Sequence, residues 1–251
     1  MKYLAIGPGA MGIFAMLGYL KTTEDKLVDI QEISGASAGS ILALMLALGK
    51  SVDDIIDTSL RLNISDLVKL NLKCFLHKFG LVDLEPMRRK LVEICGCDPT
   101  FSQLSKKIHV SAFCVNTSTT DYFSVDTHPD MKVIDAVCMS IAIPFVFSSR
   151  KYMDKTYVDG GTVESLPLAP FLDKPPHDVH CIQIKCKTKY IETIDNPRAF
   201  AEALIMANLN NRYDYTLTYQ VNKIIDVDDM DIFDFNMCYE DKIRMYLMGT
   251  S

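Results

Sequence analysis

No apolar run in this chain approaches the ~20 residues that a membrane-spanning helix requires. The longest, Ile41 to Leu48, falls far short. Met1-Lys2-Tyr3 leads straight into a strand-like segment without a leader pattern, so the chain is expected to be cytoplasmic, with at most peripheral contact at membranes. No proline- or serine-rich linker divides the 251 residues, and no internal repeat is visible. One domain over 1–251 is therefore expected, large enough to bury a substantial core. Basic residues are also in short supply. Lys and Arg number 26 against 32 Asp and Glu, a net charge of −6, which argues against nucleic acid or another polyanion as partner. Hydrophobic content of 49% with 23% charged residues belongs to a soluble globular chain, not a disordered one.

Metal-binding spacing is missing as well. Among eight cysteines, Cys95-Gly96-Cys97 is neither a C-x-x-C redox pair nor a zinc half-site, and His77 and His109 do not complete a ligand set. Most cysteines fall in strand- or helix-like runs, where reduced cysteine acts as a small buried hydrophobe. The acidic run Asp226 to Asp234 imitates a calcium loop, but Met230 occupies a ligand position and the turn glycine and closing glutamate are lacking. No metal and no cofactor are expected.

What the chain does have is a serine between two glycines, Gly35-Ala36-Ser37-Ala38-Gly39. It lies where a strand-like segment, Leu27 to Ile33, turns into an apolar helical one, Ile41 to Leu48. That is the setting of a nucleophile elbow, in which glycines permit a tight turn and the serine hydroxyl projects from its apex. A second cluster, Gly7-Pro8-Gly9-Ala10-Met11-Gly12, lies one strand earlier, between Tyr3 to Ile6 and the helical pattern Ile13 to Leu20. Read alone it matches the G-x-G-x-x-G of dinucleotide-binding folds, with Glu32 near the spacing of the ribose-binding acid. Nucleotide binding has no use for a glycine-flanked serine in the next turn. Ester hydrolysis uses both, because attack by Ser37 makes an oxyanion that backbone N–H groups of a glycine loop at a helix start can hold.

Far downstream, Val158-Asp159-Gly160-Gly161 ends a strand-like segment, Tyr152 to Val158. Taken alone it is also an ordinary surface turn. Beside a nucleophilic serine, a carboxylate on such a turn can act as general base. His177 and His180 follow Asp159, so a triad in the ordinary esterase order is a formal alternative. The preceding Pro175-Pro176 and the strand-like surroundings of His180 favour structural roles for both.

Together and in this order, over residues 1 to about 170, the three motifs resemble the patatin-like phospholipase family. The resemblance implies a single-domain patatin-like α/β hydrolase fold, with a central mostly parallel sheet flanked by helices. It also implies a lipid acyl hydrolase of phospholipase A or lysophospholipase type, working through a serine-aspartate dyad without a cofactor. Its partner is then a phospholipid or another acyl lipid. Ser37 matches the nucleophile and Asp159 the base, while Gly7, Gly12, Gly35, Gly39, Gly160 and Gly161 match the motif glycines. Ala136 to Phe147, with Pro144, is similar to the family's intervening block, and weaker likeness is carried by Gly80 to Met87 and Ile108 to Phe123. Two positions depart from the pattern. Pro8 stands among three usual glycines and has no N–H, so the oxyanion donors fall to Gly9 and Ala10, with Ala38 as a further candidate. Met11 stands where the family usually carries Lys or Arg. These departures keep a catalytically weakened lipid-binding protein open as the alternative, ahead of a Ser-His-Asp esterase and a dinucleotide-binding oxidoreductase.

Periodicity orders the rest. Strand and helix patterns alternating at 2–6, 11–20, 27–33 and 37–48 predict the parallel β-α units of a doubly wound α/β fold. Residues 52–106 read as mostly helical, including a helix from Leu84 to Ile94. Phe75, Leu76, Phe79, Leu81 and Val82 make this region apolar, and core packing is expected there ahead of a lipid-facing surface. Strands at 107–115 and 120–125 should pair around Asn116-Thr117-Ser118, followed by a helix at 132–140 and a strand at Val179 to Lys185. A long helix from Asn196-Pro197 towards Tyr219 and a final one from Met237 to Met248 complete the reading.

Overall fold

Residues 1–186, 194, 200, 203–204, 223–227 and 229–251 are described by a computed structural model, and they form an α/β fold around a mostly parallel sheet. The strands are β1 (Tyr3–Ile6), β2 (Glu32–Ala36), β3 (Gly80–Val82), β4 (Lys107–Cys114), β5 (Thr119–Phe123), β6 (Phe145–Phe147), β7 (Arg150–Tyr152), β8 (Lys155–Asp159), β9 (Val179–Lys185) and β10 (Lys223–Asp226). The helices are α1 (Ile13–Thr22), α2 (Glu24–Leu27), α3 (Ala38–Ala47), α4 (Val52–Arg61), α5 (Leu72–Lys78), α6 (Glu85–Cys95), α7 (Val133–Ser140) and α8 (Tyr239–Thr250). Strand order is β10-β9-β1-β2-β4-β8-β7, with β5 also paired to β4, while β3 and β6 make a separate parallel pair. The run from β10 to β4 is parallel; β5, β7 and β8 add antiparallel pairs.

Alternation along β1 separates two cores, because successive side chains leave opposite faces of a strand. Leu4 and Ile6 enter the large core, which α1, α3, α7 and α8 help to build; Ala5 enters a smaller one with Leu166, Leu168, Phe171, Val179 and Cys181. Helix α3 lies so deep that all its residues but Ile41 are buried, as its unbroken apolar sequence requires. Arg88 on α6 reaches Asp135 on α7 at 2.6 Å, fixing the helix that ends in Ser140. Five of the eight cysteines are buried and all are free. No described helix is long and apolar enough to cross a membrane.

Several boundaries differ from the sequence reading. β2 occupies Glu32–Ala36, not 27–33: Glu24–Leu27 makes a helical turn with Glu24 and Asp25 at its positive end, and the small residues Ser34, Gly35 and Ala36 extend the strand up to the elbow. Tyr152 to Val158 is not one strand but the turn and second arm of a hairpin, reversed at Met153, where φ is +51°. α8 starts at Tyr239, since the carboxylates of Asp231 and Asp234 accept from the N–H groups of Phe233 and Asn236 and turn the chain before it. The helix expected from Asn196 to Tyr219 lies outside the described residues, apart from Phe200, Ala203 and Leu204. Core packing of Phe75, Leu76 and Phe79 is also corrected. α5 turns Cys74 inward, so Leu72 and Leu76 stand 76% and 73% exposed and Phe79 59%.

Candidate active site

Register alone brings Ser37 and Asp159 together. β2 runs parallel to β4 and ends with Ala36 opposite Ser111; β8 runs antiparallel to β4 and ends with Asp159 opposite Ala112. Because β5 holds the other edge of β4 from Val110 to Cys114, β2 and β8 share one edge and their carboxyl ends meet there. Ser37, next after Ala36, stands at that junction.

Ser37 caps α3 with φ +52° and ψ −124°, angles that a non-glycine residue adopts at a cost of roughly 1–3 kcal/mol. Its surroundings hold it there. The Ser37 N–H donates to Ser140 Oγ at 2.8 Å, and its carbonyl accepts from Ser40 Oγ at 2.6 Å and from the Ser40 N–H at 2.9 Å. Gly39, the second residue of the helix, sits where a Cβ would lie 2.3 Å from the Ile6 carbonyl oxygen and 2.7 Å from that of Gly7. Only a glycine lets the elbow press against the end of β1, and Gly35 closes the other side of the turn from within β2.

The Gly7 to Gly12 loop is thereby seated beside Ser37. Gly7 donates to Ile182 O at 2.9 Å, Met11 to Ile232 O at 3.0 Å and Gly12 to Gly9 O at 2.7 Å. Among the described residues no backbone carbonyl accepts from Gly9 or Ala10, and Ala10 has φ +44°. Pro8 packs on the aspartate turn: a Cβ on Gly161 would fall 2.5 Å from Pro8 Cβ. Met11 is buried in the large core.

Asp159 is 3% exposed and Ser37 5%. Asp159 Oδ1 accepts from the Gly161 N–H at 2.6 Å, within a 3-10 turn that starts at Gly160, and its own N–H donates to Ala142 O at 2.9 Å. The Thr162 hydroxyl donates to its carbonyl at 2.7 Å. Nearby the Tyr122 hydroxyl donates to Glu164, and burial together with that carboxylate pushes the Tyr122 phenol far above its ordinary range, so it stays a donor.

Ser140 is the residue that sequence reading passed over. It falls inside the block Ala136 to Phe147, and the one signal for it is a hydroxyl closing a helix that is apolar apart from Asp135. From Ser140 the chain passes Ala142, which holds Asp159, and reaches Phe145 and Val146. These two residues, with Phe75, Leu81 and Phe235 among others, line an open apolar pocket of about 230 Å³.

The histidines lie elsewhere. His180 pairs with Leu4 near the amino end of β9, whereas Ser37 follows the carboxyl end of β2. Its Nε2 is 2.8 Å from the Tyr19 hydroxyl. The side chain of His177 is 80% exposed ahead of β9, and His109 Nε2 sits 2.9 Å from Glu32.

Fold and site define an α/β protein with a serine at a strained strand-to-helix turn and a carboxylate at the end of a converging strand. The chain belongs to the patatin-like phospholipase family, whose model matches residues 4–172. A protein of Acanthamoeba polyphaga mimivirus, described as uncharacterized protein R571, is 32% identical over 186 residues, covering 69% of this chain and 62% of the relative. The probable lipid hydrolase 463L of invertebrate iridescent virus 6 is 28% identical over 182 residues, covering 66% and 62%. Among solved structures, VipD from Legionella pneumophila superposes with a TM-score of 0.68 at 15% identity, covering 99% of this chain and 65% of that one, a likeness of fold. The matched stretch thus spans 62% of the length of either viral relative.

Proposed function

We propose that the chain is a lipid acyl hydrolase cleaving carboxylic esters, of phospholipase A or lysophospholipase type, with Ser37 as nucleophile and Asp159 as base. The observation that carries this reading is the meeting of β2 and β8 on one edge of β4, with a left-handed serine at the junction. In the reaction, Ser37 Oγ attacks the acyl carbonyl carbon as Asp159 takes its proton. The oxyanion is held by the N–H groups of Gly9 and Ala10, with Ala38 at the positive end of α3. Collapse breaks the bond to the alcohol, which leaves with the proton from Asp159, and water then repeats the sequence on the acyl-enzyme to release the fatty acid. Membership of the family and the lipid-hydrolase description of the iridescent virus relative support an acyl lipid as substrate.

A fluorophosphonate probe should label the wild-type protein and fail on Ser37→Ala. Asp159→Asn keeps the shape without the base, and hydrolysis of a chromogenic short-chain ester should fall by about 10³ or more, comparable with Ser37→Ala, since members of one catalytic unit are not additive. Equal labelling of the wild type and Ser37→Ala would overturn the assignment. A second reading, a lipid-binding protein with weak turnover, is favoured by Pro8, which has no N–H, and by Met11, whose buried side chain leaves the loop without a cation. Wild-type turnover no faster than that of Ser37→Ala, with the fold intact, would select it.

A further inference from the structure

The apolar stripe of α5 points the wrong way for a helix packed on its own core. Leu72, Leu76 and Phe79 recur at the i, i+4, i+7 spacing that normally faces inward, yet all three are exposed, and Leu70 beside them is 76% exposed. Phe79, the residue before β3, and Phe145, which pairs with Gly80 across the β3–β6 pair, both hold left-handed backbone angles, +59° and +66°, which bulky residues rarely adopt. Both side chains are half or more exposed, so backbone strain is spent on keeping aromatic rings at the surface.

The charge around this stripe has a sign opposite to that of the chain. From Leu67 to Val82 there are Lys69, Lys73 and Lys78 and no acidic residue, in a protein of net charge −6. Lys78 pairs with Asp83, while Lys69 and Lys73 are exposed and meet no carboxylate among the described residues. Exposed leucines and phenylalanines set among lysines fit the boundary of an anionic bilayer, where apolar side chains insert and ammonium groups meet lipid phosphates. The patch is also continuous with the apolar pocket through Phe75 and Phe145. An acyl chain leaving the bilayer there would reach the pocket without crossing water.

We infer that the surface formed by α5, Leu70, Phe79 and Phe145 docks the protein on anionic membranes. This deepens the acyl-hydrolase reading and rests on it for its purpose, but the docking is measurable without catalysis. Ser37→Ala protein should co-sediment with equimolar phosphatidylcholine–phosphatidylglycerol vesicles and far less with phosphatidylcholine alone. Replacing Leu72, Leu76 and Phe79 by Ser in that background should weaken binding by about tenfold or more. The pair Lys69→Glu and Lys73→Glu should lose a similar factor, on anionic vesicles only. Put into the active protein, both sets should leave hydrolysis of a soluble short-chain ester unchanged. Absence of binding to either vesicle, or equal binding by all variants, would overturn the inference. Concentration-dependent self-association that the triple substitution abolishes, without vesicle binding, would overturn it too and assign the face to a second copy of the chain.

Discussion

Ser37 occupies backbone angles that glycine would adopt at little cost, so its proposed role as nucleophile sets activity against stability at this one residue. Ser37→Gly should abolish turnover and raise the unfolding free energy by about 1 kcal/mol, read from urea midpoints. A loss of stability would mean that the turn is not strained. Ser140 offers the complementary test. Removing its hydroxyl by Ser140→Ala leaves the buried Ser37 N–H without its acceptor, loosening the turn while the lining of the apolar pocket is untouched. kcat should fall about tenfold with KM unchanged, and Ser140→Thr should restore part of it. An unchanged kcat would reduce Ser140 to packing. The contrast explains what was legible at this scale. Ser37 and Asp159 announce themselves through glycines adjacent in sequence, because the tight turns that present them need small neighbours. Ser140 has no such local requirement, and only the fold brings its hydroxyl to the elbow.

At the level of elements, hydrophobic periodicity located β1, α3, α6, α7 and β9 because each has an apolar pattern of its own period. It failed where a turn used residues outside the usual chemistry. Met153 reverses the β7–β8 hairpin without the Asn-Gly or Asp-Gly pair that marks such turns, and side-chain bonds from Asp231 and Asp234 delay α8. The contact between α1 and α8 was equally invisible. There the two backbones touch: a Cβ on Gly249 would lie 1.8 Å from the Ala15 carbonyl oxygen, and one on Gly18 would lie 2.0 Å from that of Tyr246. Backbone cannot yield as a flexible side chain can, so Gly249→Ala must part the helices. The expected cost is about 2–3 kcal/mol of unfolding free energy, with specific activity of the folded fraction retained. A variant as stable as wild type would show that α8 docks loosely.

For the molecule as a whole, the polarity of the sheet separates Ser37 from the buried His180. Parallel strands send Ser37 to the carboxyl edge, while His180 stays near the amino edge of β9, level with Leu4 and so with Ile33, four residues before Ser37. At about 3.3 Å per residue, that alone is roughly 13 Å along the strand direction. That separation fits the proposed dyad, and the burial of His180 predicts a role in acid stability instead. Burial, with smaller contributions from Lys26 and the N-terminal ammonium, lowers its pKa to about 4, against about 6.5 for an unperturbed histidine. Between these values the unfolded chain binds a proton that the folded one refuses. Stability is thus full above about pH 6.5 and drains away as pH falls towards 4. His109 adds in the same direction, because its burial outweighs the attraction of Glu32. His180→Gln removes the titration and leaves an amide to meet the Tyr19 hydroxyl. It should flatten the decline of urea midpoints over this window while leaving ester hydrolysis at neutral pH near the wild-type rate. Collapse of activity in folded His180→Gln would contradict the dyad and restore a histidine base; an unaltered acid slope would mean that other groups set the molecule's lower pH limit.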